Sequence, residues 1–271
     1  MEKLIVGQWL EHKINEYIQQ MPSDASISYV VLRLSDEAET SIIASAKENA
    51  VYTGASLESL VILEYVFHLA KEGQLDLHDT VSLQRSPRVG GRGALQELLG
   101  VRSFSYLELC RFMIIFGDNW ATNLLITTLG MEYINARAEQ LGLSSFTLHR
   151  YMMDDSRTFV AEDNEISAID MALLLDQIYR LRDTVEGREM WTILGRHQYN
   201  DILSFHWGGD TTFHHMTGSA TDVVSDVGLI ETMNGDFAFV FMAQHMQPDE
   251  AKQLGARIGV LMKEFVEEAL P

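Results

Sequence analysis

Three short polar segments of the chain carry residue types that can take part in acyl transfer. Ser56 follows a turn and opens a predicted helix, where a serine is either a simple helix cap or an activated nucleophile. Asp118 and Asn119 lie between two predicted helices, and residues 217–219 (Thr-Gly-Ser) end a predicted strand. These residues either bind and orient a substrate for Ser56, or they only hold loops and pack the sheet.

The order and spacing of these segments resemble the three signature blocks of the serine β-lactamases and penicillin-binding proteins, Ser-x-x-Lys, Ser-Asp-Asn and Lys-Thr-Gly. The matching stretches begin here at Ser56, Gly117 and Met216. Residues 90–96 and 196–201 resemble the segment that precedes the second block and the segment that returns to the sheet. The resemblance covers nearly the whole chain, which is identified as similar to the class A serine β-lactamases.

The chain departs from this family at the side chains that the resemblance would make catalytic. Ser59 stands in place of the lysine that takes up or relays the proton of Ser56. Gly117 stands in place of a proton-shuttling serine, and Met216 in place of the lysine that attracts the substrate carboxylate. None of these replacements can act as a base near neutral pH. Glu58 is expected to point elsewhere on the helix, so Ser56 is predicted to be a vestigial or weak nucleophile.

The group that activates water for deacylation is also replaced. Residues 148–155 resemble the start of the Ω loop, and alignment on Arg150 puts Met152 at the position of the family's catalytic glutamate. A thioether cannot activate water. Asp154 or Asp155 takes over this role only if the loop is shifted in register.

The resemblance implies that the groups for binding and electrostatic stabilisation remain. The backbone N–H groups of Ser56 and Ser219 match the family's oxyanion hole, and backbone donors require no particular side chain. By the same resemblance, the substrate-binding residues are Asp118, Asn119, Thr217, Gly218 and Ser219.

The predicted cleft contains little positive charge. No lysine or arginine occurs between Arg196 and Lys252, the part of the chain that supplies the neighbouring strands. His214 and His215 are mostly neutral at pH 7, and as neighbours on a strand they point to opposite faces and cannot readily share a metal ion. We therefore expect a cleft without fixed positive charge, poorly suited to an anionic β-lactam, and neither a metal nor a cofactor.

Hydrophobic periodicity predicts the elements that position these residues. They are a helix from about residue 4 to 18, a hairpin over 28–46, a mostly helical middle over 56–196, three strands within 211–244 and a helix over 249–269. The dipeptide Asn234-Gly235 predicts a tight hairpin between the last two strands.

This order predicts an α/β (α+β) fold of the β-lactamase/transpeptidase type. One five-stranded antiparallel sheet, made by both chain ends, is flanked by the N- and C-terminal helices. Residues 1–55 and 205–271 are expected to form this α/β lobe, and residues 56–204 an inserted all-helical lobe. The active-site cleft, with a small-molecule ligand, is expected between the two lobes.

Composition limits the partners of the chain. A formal net charge of −19 repels phosphate backbones and anionic lipids, so neither nucleic acid nor a membrane is an expected partner. The chain has a single cysteine, Cys110, and neither a signal-peptide pattern nor an apolar run of membrane-spanning length. These features favour an acidic cytoplasmic protein, and no protein partner is indicated.

Three functions remain open at this point. The first is a catalytically degenerate β-lactamase-like protein, with little or no hydrolysis, that acts by binding a ligand or partner. The second is a serine hydrolase with Ser56 as nucleophile and Asp154, Asp155 or a histidine as an unconventional base. The third is a penicillin-binding acyl trap, in which Ser56 is acylated slowly and stays acylated.

Overall fold

A computed structural model describes residues 2–36, 40–154, 163–209 and 211–268 of the chain. Its α-helices are α1 (Glu2–Ile18), α2 (Glu58–Lys71), α3 (Tyr106–Ile115), α4 (Asn119–Leu129), α5 (Met131–Gln140), α6 (Ala168–Leu181), α7 (Val185–Leu194) and α8 (Pro248–Glu268). Its strands are β1 (Ser26–Leu34), β2 (Ser41–Ala46), β3 (Val51–Thr53), β4 (Thr80–Ser82), β5 (Ser103–Ser105), β6 (Glu165–Ser167), β7 (His214–Ser219), β8 (Val223–Thr232) and β9 (Gly235–Gln244). Two short 3₁₀ helices span Leu83–Arg85 and Leu95–Glu97.

The main sheet has five strands in the order β2-β1-β9-β8-β7, and every neighbouring pair is antiparallel. Both chain ends contribute, because β1 pairs with β9 in a register that sets Val30 opposite Val240. The predicted hairpin at Asn234-Gly235 joins β8 to β9, and Gly235 has a φ of +122° that favours glycine. The predicted fold class is confirmed.

The two faces of the sheet are buried against different helices. Successive side chains of a strand point to opposite faces, so Tyr29 and Val31 contribute to the core under α1 and α8, whereas Val30 and Leu32 contribute to the core under the helices of the middle segment. The sheet thus anchors both groups of helices. The division into lobes at residues 56 and 205 stays a prediction.

Four short strands just before or within the helical middle were not predicted from the sequence. β3 pairs with β6 and sets Tyr52 opposite Ile166, and β4 pairs with β5. Each of these strands has only three residues, too few to show a periodicity. The β3–β6 pair matters for function because it fixes the chain immediately before Ser56.

The longest helix, α8, has 21 residues and lies on the sheet with α1. Acidic and basic residues interrupt its sequence throughout. Among the described residues, no helix is long and apolar enough to cross a lipid bilayer.

Candidate active site

A cavity of about 220 Å³ lies where the end of β7 meets the start of α2. The structure brings four of the predicted site residues together in its lining: Ser56, Asn119, Met152 and Ser219. Five charged or amide side chains join them there: Glu58, Arg92, Arg150, Asp163 and Asn164. The other predicted positions are described by the structure but do not line this cavity: Ser59, Gly117, Asp118, Met216, Thr217 and Gly218.

Ser56 lies in a strained turn between β3 and α2. Ala55 has a φ of +48° and Ser56 a φ of +91°, conformations that residues with a side chain rarely adopt. Each such residue costs about 1–3 kcal/mol and persists only where its surroundings hold it in place. The N-cap of α2 is Leu57, which makes no side-chain capping bond. Ser56 is therefore not a helix cap, and its conformation needs another explanation.

The Ser56 hydroxyl makes no hydrogen bond to any side chain within the described residues. Ser59, one helical turn further on, is buried, and its backbone N–H donates to the carbonyl oxygen of Ser56 over 3.2 Å. A nucleophilic serine needs a base within hydrogen-bond reach of its oxygen. Among the described residues, no side-chain base is hydrogen-bonded to the Ser56 hydroxyl.

Glu58 does not point away from Ser56, so that expectation is wrong. Its Oε2 accepts the backbone N–H of Ser56 over 3.0 Å, and its Oε1 accepts Nδ2 of Asn164 over 2.8 Å. Burial raises the pKa of the Glu58 carboxyl, against the opposing effect of these hydrogen bonds. The side chain reaches Ser56 because the left-handed turn aims the N–H of Ser56 back toward the first residue of α2.

Both backbone donors of the expected oxyanion hole are engaged inside the protein. The N–H of Ser56 donates to Glu58, and the N–H of Ser219 donates to the carbonyl oxygen of Ala55 over 2.9 Å. The expectation that these donors are free for a ligand is therefore not met. The physical reason is the turn at Ala55 and Ser56. It places the carbonyl oxygen of Ala55 at the end of β7, so the N–H of Ser219 faces this oxygen and not open space.

The second block mainly supports the local backbone. Asp118 is buried and caps α4, with Oδ1 accepting the N–H of Ala121 over 3.0 Å and Oδ2 accepting the N–H of Leu95 over 2.8 Å. Asn119 lines the cavity, and its Nδ2 donates to the carbonyl oxygen of Gly90 over 3.1 Å. Gly117 has a φ of +59°, which favours glycine at the position of the family's serine.

The third block is buried in the sheet. The side chain of Met216 belongs to the core beneath α2, as expected for a thioether in place of an ammonium group. A Cβ atom on Gly218 would lie only 2.9 Å from the carbonyl oxygen of Ala55. Glycine at 218 therefore permits the close approach of β7 to the Ser56 turn.

Thr217 is held by a buried histidine that the sequence analysis did not single out. Nε2 of His197 lies 2.9 Å from the hydroxyl oxygen of Thr217 and accepts the backbone N–H of the same residue over 3.2 Å. The other ring nitrogen, Nδ1, lies 2.6 Å from the carbonyl oxygen of Ile114. Burial lowers the pKa of His197 to about 3, and neighbouring His215 adds to the shift. Neutral His197 thus donates from Nδ1 and accepts at Nε2.

His215 lies in a second buried contact beside His197. Its Nδ1 lies 2.7 Å from Oδ1 of Asp226, and its Nε2 lies 3.1 Å from Oδ1 of Asn200. Nδ2 of Asn200 donates to the carbonyl oxygen of His197, which fixes the orientation of this amide. Both ring nitrogens of His215 thus face oxygen atoms of neighbouring side chains.

His214 points to the opposite face of β7, as expected for neighbours on a strand. Its Nδ1 lies 2.9 Å from the carbonyl oxygen of Trp191, and its ring packs on the Trp191 ring. Within the described part of the chain, no group of three or more histidine, cysteine, aspartate or glutamate residues is arranged to hold a metal ion.

Arg150, in the segment that resembles the start of the Ω loop, forms an ion pair with Asp163, with Nε and Oδ1 2.8 Å apart. Met152 is held by Asn123, whose Oδ1 accepts the N–H of Met152 over 2.7 Å and whose Nδ2 donates to its carbonyl oxygen over 3.0 Å. The backbone carbonyl of Asp154 accepts Nη1 of Arg150 over 3.3 Å.

Asp155, the other acidic residue considered for deacylation, lies outside the described residues.

The cavity contains positive charge, contrary to the expectation from the strands. Arg92 and Arg150 both line it. Arg150 is paired with Asp163, whereas Arg92 makes no ion pair with any described residue, and its guanidinium lies 4.3 Å from the ring centroid of Tyr199. The prediction was wrong because these cations come from the loop between β4 and β5 and from the segment after α5, not from the strands of the main sheet.

A family model described as the beta-lactamase enzyme family matches residues 9–266. This match spans nearly the whole chain, including every predicted site residue. The chain belongs to the beta-lactamase enzyme family.

Several solved structures share the fold of this chain. The structure of PBP-A is 22% identical, with 96% of each chain covered and a TM-score of 0.83. A beta-lactamase from Sphaerobacter thermophilus is 20% identical, with 97% of this chain and 98% of that chain covered and a TM-score of 0.81. A class A beta-lactamase from Bacteroides cellulosilyticus is 15% identical, with 97% and 99% covered and a TM-score of 0.84. A search of curated proteins found no match.

Four residues line this beta-lactamase-family cleft without having been predicted from the sequence: Glu58, Asn164, Asp163 and Arg92. His197, which binds Thr217 outside the cavity lining, was not predicted either. Asn164 is the most connected of them, since its Oδ1 also accepts the N–H groups of residues 149 and 150. The sequence Asp163-Asn164 after a polar segment is a weak signal. The Gly-Gly-Arg-Gly stretch at residues 90–93 resembles the family, but this resemblance does not predict that Arg92 lines the cleft.

Proposed function

We propose that this beta-lactamase-family protein is catalytically degenerate, with little or no β-lactam hydrolysis, and that its cleft acts as a binding site for a small molecule. The observation that carries the proposal is the occupation of both oxyanion donors, Ser56 N–H by Glu58 and Ser219 N–H by the carbonyl of Ala55. Backbone donors were the one catalytic feature that side-chain replacements could not remove.

The expected loss of rate is large. Positioned proton transfer contributes about 10²–10⁴-fold per step, and one oxyanion donor about 10²–10³-fold. Ser59, Gly117 and Met152 supply no base for either step. The combined loss leaves too little acceleration for useful turnover.

The cavity retains features of a ligand site. Arg92 offers a guanidinium without an ion-pair partner among the described residues, and the exposed Met153 offers apolar surface. A small molecule that bears an acceptor group for Arg92 suits this lining. The net charge of −19 repels nucleic acids and anionic membranes, so neither is the expected ligand.

A second candidate is the slow acyl trap. A variant of PBP-A, 21% identical to this chain with 97% of each covered and a TM-score of 0.83, has a structure described as an acyl-enzyme complex with penicillin G. Ser56 lines the cavity here, and Met152 cannot activate a deacylating water. Acylation without release would follow if Ser56 can be acylated at all.

The serine-hydrolase alternative has less support. His197 and His215 are held in buried contacts with Thr217 and Asp226, and neither lines the cavity. Asp154 does not line the cavity either.

The test is intact-protein mass spectrometry after incubation with penicillins, cephalosporins and a fluorophosphonate, beside a chromogenic lactam assay. We expect no lactam adduct, no lactam turnover above that of Ser56→Ala, and only slow labelling of Ser56 by the fluorophosphonate. Turnover that is lost in Ser56→Ala would refute the proposal in favour of an ordinary β-lactamase. A persistent lactam adduct that is lost in Ser56→Ala would replace it with the acyl trap.

A further inference from the structure

We propose that Glu58 is an autoinhibitory side chain that keeps Ser56 from reacting with acylating agents. This inference rests on the proposed function, because it explains why a chain with the family's serine in the family's cleft is inactive. The larger consequence is that Ser56 is a latent nucleophile, which a change at one neighbouring side chain can release.

The carboxylate of Glu58 occupies a backbone donor that an anionic oxygen of a reacting group would use. Its Oε2 takes the N–H of Ser56, one of the two donors matched to the oxyanion hole, over 3.0 Å. A developing oxyanion and the Glu58 carboxylate cannot both occupy this donor. Glu58 therefore competes with the transition state of acylation for the same hydrogen bond.

A neighbouring asparagine holds Glu58 in this position. Oε1 of Glu58 accepts Nδ2 of Asn164, and the backbone of Asn164 accepts the N–H of Gly54 over 2.7 Å. A Cβ atom on Gly54 would lie 2.7 Å from Oε2 of Glu58, so glycine leaves the space that the carboxylate fills. Residues on both sides of the turn thus favour the occupied state.

The strained conformation of Ser56 indicates what removal of Glu58 would change. With a φ of +91°, Ser56 is in a conformation that its N–H bond to Glu58 helps to maintain. Without that bond, the turn can relax and the N–H can turn toward the cavity. The bond from Ser219 N–H to the carbonyl of Ala55 does not involve Glu58, so removal of Glu58 releases one of the two donors, the N–H of Ser56.

The chemical form of the side chain matters because two donors approach two different oxygens. A carboxylate offers an acceptor on each side, one for Ser56 N–H and one for Asn164 Nδ2. A glutamine has one carbonyl oxygen and one NH₂ group, so it can satisfy only one of these donors. Glu58→Gln is therefore expected to weaken the contact, and Glu58→Ala to remove it.

The test measures the rate at which a fluorophosphonate modifies Ser56 in the full chain, by intact-protein mass spectrometry. In this reaction the serine oxygen forms a bond to phosphorus, fluoride leaves, and the hydroxyl proton passes to solvent. One oxyanion donor is worth about 10²–10³ in rate in known hydrolases. Because one of two donors is released, we expect at least about a tenfold faster reaction in Glu58→Ala. We expect Glu58→Gln to lie between that variant and the wild type.

Glu64→Gln is the matched control. Glu64 is also buried on α2 but pairs with Arg137, away from Ser56. Its replacement is expected to leave the labelling rate at the wild-type value, and Ser56→Ala in the Glu58→Ala background is expected to abolish labelling.

Hydrogen–deuterium exchange of the peptide around Ser56 gives a second readout that does not depend on reactivity. Exchange is expected to be faster in Glu58→Ala and in Asn164→Ala than in the wild type. If a folded Glu58 variant exchanges faster at Ser56 but labels at the wild-type rate, the inference is wrong. Unchanged exchange and labelling in both Glu58→Gln and Asn164→Ala would also overturn it.

These outcomes separate the inference from the proposed function. Lactam turnover by the wild-type chain would refute the proposed function, whatever the Glu58 variants do. An inactive wild type with equally inactive Glu58 variants would leave the proposed function intact and refute only the role of Glu58.

Discussion

His197 shows how burial fixes the protonation state of a side chain that is free to titrate in an unfolded chain. The ring is enclosed between Ile114 and Thr217: Nδ1 faces the carbonyl oxygen of Ile114, and Nε2 faces the hydroxyl and the backbone N–H of Thr217. Only the neutral form, with the proton on Nδ1, satisfies both partners. Burial therefore lowers the pKa of His197 from 6.5 to about 3.

This shift predicts a loss of stability in acid. Because the folded pKa lies below the unfolded value, the unfolded state takes up a proton first as the pH falls below about 6.5. The contribution of His197 is present above pH 6.5 and decreases toward pH 3. Between pH 7 and pH 5 we expect a loss of about 2 kcal/mol in the free energy of unfolding, measured by urea denaturation.

His197→Gln removes this titration, so its free energy of unfolding should change less between the two pH values than that of the wild type. His12 is exposed on α1, and His12→Gln should keep the wild-type pH dependence. Equal pH dependence in the wild type and His197→Gln would contradict the assignment of a neutral, buried His197.

At the scale of elements, α8 shows how glycine on a helix permits close packing. Gly255 and Gly259 lie one turn apart on the same face of α8, against residues 202–203. A Cβ atom on Gly259 would lie 1.8 Å from the carbonyl oxygen of Leu203. The indole N–H of Trp207 donates to the carbonyl oxygen of Gly259 over 3.0 Å, which fixes the segment on the helix.

Gly259→Ala is therefore expected to destabilise the protein. Helix propensity alone favours alanine over glycine by about 1 kcal/mol, whereas overpacking against backbone costs about 1–3 kcal/mol. We expect the packing cost to exceed the gain, with a lower melting temperature by calorimetry. Gly208 has open space around its Cβ position, and Gly208→Ala is the control that should stay near the wild-type value. A more stable Gly259→Ala would show that α8 does not approach Leu203 so closely.

At the scale of the whole molecule, the acidic surface affects stability as well as partner choice. A formal charge of −19 on 271 residues produces repulsion that the folded state concentrates in a small volume. Ion pairs such as Lys252–Asp201 and Arg182–Asp36 relieve some of this repulsion locally. The chain has 39 aspartates and glutamates but only 20 lysines and arginines, so many acidic side chains have no basic residue to pair with.

Moderate salt is expected to stabilise the protein. The Debye length falls from about 30 Å at 0.01 M to about 8 Å at 0.15 M ionic strength, which screens the repulsion between distant carboxylates. We expect the melting temperature to rise by on the order of 2–4 °C over this range, as a gain of about 1 kcal/mol would give. A constant or falling melting temperature would mean that the local ion pairs outweigh the overall repulsion.

The sequence by itself determined the fold class, the family and the lost side chains. These features depend on local patterns that are present in the chain before it folds. They are the periodicity in β1 and α8, the Asn234-Gly235 turn, and the order of the blocks at Ser56, Asp118 and Thr217. The short strands β3 and β6 were not predictable, because three residues carry no period and pair only after the chain has folded.

Only the tertiary structure decided the state of the cleft. Glu58 was expected to point away, yet a left-handed turn at Ala55 and Ser56 brings the N–H of Ser56 to its carboxylate. The contact between Glu58 and Ser56 depends on Asn164, which is more than a hundred residues from Glu58 in the chain. It also depends on a backbone conformation that residue types do not encode. Hydrogen-bond occupancy and side-chain direction are set by packing between distant segments, so the sequence reveals which groups are present and the fold decides which remain free.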